Sequence, residues 1–133
     1  AGSDERVLRA TDLVVIAEIE ATQALESVGA MLEGEVTQEH VAMVEELLRG
    51  QQAQLTNAHK ALAADIMDAR RTAPKVAQAL STLTPRLRTV QARLAQEFKR
   101  AKQLAAERRE EATETRRNAQ AEEERARAER GGA

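Results

Sequence analysis

Two histidines, His40 in "QEHVA" and His59 in "NAHKA", are the residues in this 133-residue chain best suited to acid–base or metal chemistry. Neither has a second histidine or a carboxylate at ligand spacing, so both read as structural. Ser3, Ser27 and Ser81 stand in no nucleophile context, and "GAMLEGE" lacks the Lys-Ser/Thr that would follow a phosphate-cradling loop. Carboxylates are abundant, but their spacing puts them on solvated helix faces. The chain has no cysteine, which excludes disulfides and thiolate metal sites. The expectation is a protein without catalytic residues, cofactor or metal: not an enzyme.

Charge offers a different kind of chemistry. The net charge is −2, but residues 1–85 carry 7 Lys/Arg against 13 Asp/Glu and residues 86–133 carry 13 against 9. The basic concentration is Arg86, Arg88, Arg93, Lys99, Arg100, Lys102, Arg108 and Arg109, opposed by Glu97 and Glu107. The favoured reading is internal, with bases flanking one helix and pairing with acids on its neighbours. The alternative is an electrostatic footprint for an anionic polymer or surface such as a microtubule, nucleic acid or an acidic membrane. Nucleic acid fits poorly, because single-strand binders stack bases on aromatic rings and this chain has one, Phe98. Membrane binding would want bulky apolar residues opposite the basic face.

The elements that must position these groups are helices. Aromatic content is 1 %, and Ala, Leu and Val dominate an apolar fraction of 42 %. Without aromatics a deep, rounded core is hard to build, and thin helix-on-helix seams are expected instead. The longest bulky apolar run, "LVVI", is far below the ~20 residues of a membrane span. With no visible signal peptide, a cytoplasmic or other reducing intracellular setting is the default expectation.

Three helical segments are read at about 4–33, 37–71 and 74–105. In the first, Val7, Ala10, Val14, Ala17, Ala21, Ala24, Val28 and Met31 recur at spacings of three and four. Ser3 would cap it and Gly34 would end it. Leu8, Leu13, Val15, Ile16, Ile19, Leu25 and Leu32 widen the stripe, as though the helix met several neighbours. Thr37 suits the cap of the second helix, with Val36 and Val41 as its hydrophobic staple. Val44, Leu48, Leu55, Leu62 and Ile66 continue its seam, interrupted by Gln51 beside Gly50. That interruption reads equally as a register-setting polar layer, a close helix approach or a tolerated imperfection. Met31, Met43 and Met67 read as gap-fillers. Pro74 ends the second helix and can open a third. Leu80, Leu83, Leu87, Val90 and Leu94 run in phase past Pro85, so a kinked but continuous helix is expected.

Bulky apolar residues stop near Leu104 and Ala105. From there "RREEATETRRNAQAEEERARAER" is rich in helix formers yet holds no Leu, Ile, Val, Met or aromatic residue. Only alanines keep the seven-residue beat, at Ala112, Ala119 and Ala126. At ~1.5 Å per residue the first two helices span roughly 45–50 Å and the third about 80 Å, so the third outruns its partners near the same place. The expected architecture is all-α: an antiparallel three-helix bundle or coiled coil over 4–105, with a projecting charged extension over 106–130. Residues 1–3 (unstructured or a tag remnant) and 131–133 would lie outside it.

The composition and layout resemble, in general look alone, helical subunits of cytoskeletal, kinetochore, tethering or secretion assemblies. The first expectation is a protein–protein interaction or scaffold module whose extension pairs with a partner or a second copy through Ala112, Ala119 and Ala126. The second is a direct binder of an anionic polymer or surface. The third is a helical chaperone shielding a partner helix in a groove near Leu13, Val15 and Ile19.

Overall fold

The computed structural model describes residues 2–34 and 36–131, with side chains from Glu5 onward. It is all-α, with α1 at Gly2–Met31, α2 at Gln38–Thr72, α3 at Pro74–Ser81 and α4 at Thr84–Gly131. α1 begins at Gly2, so Ser3 is a helical residue rather than the cap expected of it, and the start is helical rather than unstructured. Of the expected loose end at 131–133, Gly131 closes α4 and the last two residues lie outside the description.

The link between α1 and α2 is built from the residues that suit each cap. Gly34 has φ +73°, a left-handed conformation that costs a glycine little and other residues more. Thr37 then caps α2: its hydroxyl accepts from the His40 backbone N–H at 3.2 Å, and the Thr37 N–H donates to His40 Nδ1 at 3.3 Å. This reciprocal box satisfies two amides that would otherwise lack partners and gives His40 its structural role. Val36 and Val41 are both buried against Ala105, forming the staple. Arg70 and Arg71 occupy the last turn of α2, at the negative end of its dipole.

The chain runs up, down and up. Arg6, near the start of α1, pairs with Asp68, near the end of α2, at 2.5 Å. Val41, near the start of α2, packs on Ala105, far along α4. The shared core is a seam of buried leucines and valines, with Leu48, Leu55, Leu80, Leu87, Leu94, Val28 and Val44 all but fully enclosed. α1 contributes mostly small residues to it, including Ala10, Ala21 and Ala24.

Pro85 breaks the third helix instead of kinking it. Proline has no N–H for the Ser81 carbonyl, so the turn at Thr82 and Leu83 tightens into shorter bonds, Thr82 N–H to Ala79 at 3.3 Å and Leu83 N–H to Leu80 at 3.0 Å. The apolar phase nevertheless passes through, because Leu80, Leu83 and Leu87 are all buried. Two further expectations are corrected. Met43 and Met67 are 54 % and 62 % exposed and fill no gap; Met31 alone of the three packs against the core. α1 does meet α2, α3 and α4, and Leu25 and Leu32 pack against the core, but Leu8, Val15, Ile16 and Ile19 stay partly or largely exposed and Leu13 stands at the open edge of α2.

Gly50 is exposed in the middle of α2, and a Cβ added there would meet nothing within 4 Å. That disposes of a close helix approach at this glycine. Gly50→Ala should therefore stabilise the fold by about 1 kcal/mol, the helix-propensity difference alone, seen as a rise in thermal midpoint. Leu48→Ala, in the fully buried seam, should cost about 2–5 kcal/mol in a denaturant titration.

Candidate interaction surface

α4 changes character at Ala105, its last buried residue. Beyond it every described side chain is exposed except Arg108 and Ala126, which are half-covered. The helix leaves the bundle beside a cleft lined by Val41, Ala42 and Glu45 of α2 and by Ala105, Arg108 and Arg109 of α4. The remaining residues, to Gly131, extend about 39 Å at the rise of an α-helix. Helix propagation from a formed helix avoids the cost of nucleation, so a packed stem can carry an unpacked arm.

Side-chain pairs give that arm modest support. Arg127 donates to Glu123 at 3.1 Å with the acid first and a spacing of four. Arg108 donates to Glu111 at 3.1 Å. Glu114 and Arg117, and Glu122 and Arg125, also stand at a spacing of three but form no ion pair among the described residues, since water satisfies such exposed groups equally well. Ala112, Ala119 and Ala126 lie along one line of the arm at seven-residue intervals, and the helix of this chain that could cover them ends below.

The basic residues separate into two groups. Arg86 reaches across to α1, where its guanidinium grips both oxygens of Glu18. That hydrogen bond raises the Arg86 pKa above its ordinary value. Arg100 pairs with Glu97 on its own helix at 3.7 Å. Lys102 lies 4.5 Å over the Phe98 ring, and Arg49 of α2 approaches the same ring at 5.9 Å. These cations favour the negative face of the ring, which explains the two bases beside the one aromatic. Arg88, Arg93, Lys99 and Arg109 make no ion pair among the described residues. Of the eight bases from Arg86 to Arg109, pairing across helices thus accounts, among the described residues, for Arg86 alone.

Of the residues with chemical potential, His40 is consumed by its cap, and the buried Nε2 of His59 finds no hydrogen-bond partner. No three His, Asp or Glu side chains gather at metal-holding distance among the described residues. No described helix is long and apolar enough to cross a membrane. The outward face of α1, singled out by its extra apolar positions, carries four bulky aliphatic side chains that are half or more exposed. Its signal was in the sequence, as apolar residues with no room on the seam.

Searches against protein-family models, curated proteins and solved structures found no match to this chain.

The arm should melt apart from its stem. Circular dichroism of the full chain should show helix lost gradually before the main transition. A chain ending at Ala105 should lose that slope and keep the same midpoint.

Proposed function

We propose that this chain is a non-enzymatic interaction module, a coiled-coil subunit of a larger assembly in which the bundle is a base and residues 106–131 an arm for another helix. The observation that carries this reading is a helix that continues for seven turns past its last buried residue. A helix without apolar burial is only marginally stable, and pairing with a second helix would supply what the stem cannot. Alanines at the contact positions let two backbones approach closely, while Arg116, Arg117, Glu122 and Glu123 supply charges of both signs to select a partner. The occupant is a partner protein or a second copy of the chain, in an assembly of cytoskeletal, kinetochore, tethering or secretion type.

A second reading rests on Arg88, Lys99, Lys102 and Arg109, spaced by eleven, three and seven residues and so set on one exposed flank of α4. This row would suit an anionic polymer or surface.

The absence of native cysteine makes the test clean. Ala119→Cys, on the alanine line, and Ala121→Cys, on the opposite side, each provide one crosslinking site in a native lysate. The arm reading expects Ala119→Cys to crosslink to a discrete protein and Ala121→Cys to do so far less; in a parallel pull-down without crosslinker, the full chain should keep that protein in moderate salt and the chain truncated at Ala105 should lose it. Equal capture by the truncated chain, washed off by salt, would overturn it in favour of the basic row.

A further inference from the structure

α1 is built inside out. Its bundle-facing line is largely alanine, whereas Leu8 is 62 % exposed, Leu13 61 %, Ile16 50 % and Ile19 52 %. Leu8, Val15 and Ile19, at spacings of seven and four, form a stripe opposite the seam, and Ile16 and Leu13 carry it round toward α2. There Leu13 stands over a cleft of about 220 Å³ whose floor is Ala58, Ala61 and Leu62. The floor is shallow because α2 presents alanines where a bulky side chain would have closed it. A contiguous aliphatic surface of this kind, with a recess beside it, matches a helix lying in a groove.

Charge decides what the helix would be. Glu5, Asp12, Glu20 and Asp65 border the surface, and none is in an ion pair among the described residues. Arg6, the nearest base toward α2, is already paired with Asp68. Against these stands Arg9. A second copy of α1, a helix of six acids and two bases in all, would oppose like charge with like. The arm of another copy has no bulky apolar side chain to fill the recess. An anionic membrane would meet the acidic border.

We propose that the α1–α2 face is a docking groove for a basic amphipathic helix of another polypeptide. That helix carries aliphatic or aromatic residues at i, i+4 and i+7 and Lys or Arg on both flanks. The groove is independent of the arm and stands or falls separately from it.

The test uses the full chain and two synthetic helical peptides of about 18 residues, roughly 27 Å long. Both carry the same Leu stripe and a single Trp, one flanked by Lys and Arg and the other by Glu. The chain has no Trp or Tyr, so peptide fluorescence reports binding directly. The basic peptide should bind, with the acidic one at least about tenfold weaker. Ile16→Ser with Ile19→Ser should weaken the basic peptide by about tenfold or more, with the circular dichroism melt unmoved because both positions are exposed. Asp12→Lys should weaken the basic peptide and strengthen the acidic one, a reversal that no folding defect produces. Equal binding of the two peptides, no binding of either, or indifference to the Ile16/Ile19 change would overturn the proposal. So would a dimer in sedimentation that Ile19→Ser dissolves, or binding to phosphatidylserine vesicles through the same residues.

Discussion

The structure depends on one line of close packing. Leu48 and Leu55 from α2 and Leu80, Leu87 and Leu94 from α3 and α4 interlock along a seam that α1 closes mainly with alanine and valine. A core with Phe98 at its edge as the one aromatic ring is thin, and it holds by length rather than depth. Because α1 offers small side chains inward, it can sit close to its neighbours, and its bulky residues have nowhere to go but out. Because the seam ends at Ala105, everything beyond is helix without core. Both candidate surfaces are consequences of where this seam lies and where it stops.

Electrostatics plays a positioning part. Arg6–Asp68 ties the first turns of α1 to the end of α2, and Arg86–Glu18 ties the first turns of α4 to the middle of α1. Both are partly exposed, so their contribution to stability is small, and they act chiefly to favour one register among the several that a repeating apolar pattern allows. The second pair stands next to the break at Thr82 and Leu83, where the backbone has lost a helical bond.

Much of this was legible in the residues. The three-and-four spacing located the buried line, and Gly34, Thr37, Val36 and Val41 announced the first connection through their known conformational roles. Pro85 was harder, because side-chain phase and backbone continuity are separate properties: Leu80, Leu83 and Leu87 keep the phase while the Ser81 carbonyl loses its donor. The exposure of Ile16 and Ile19 was harder still. Apolar type says that a side chain would gain by burial, but only tertiary placement says whether anything arrives to bury it. The partial internal pairing of the basic residues has the same origin, since charge type along a helix does not reveal which carboxylates lie within reach.

The helical arm acts as a lever. An α-helix is stiff over this distance, so a rotation of only ~10° at its base carries the tip, ~39 Å away, through about 7 Å. The fulcrum is the last packed layer, where Val36 and Val41 hold Ala105. Small adjustments among three modest side chains are thereby magnified into displacements larger than a helical turn, and the aim of the arm is set by a small cluster apart from the main seam.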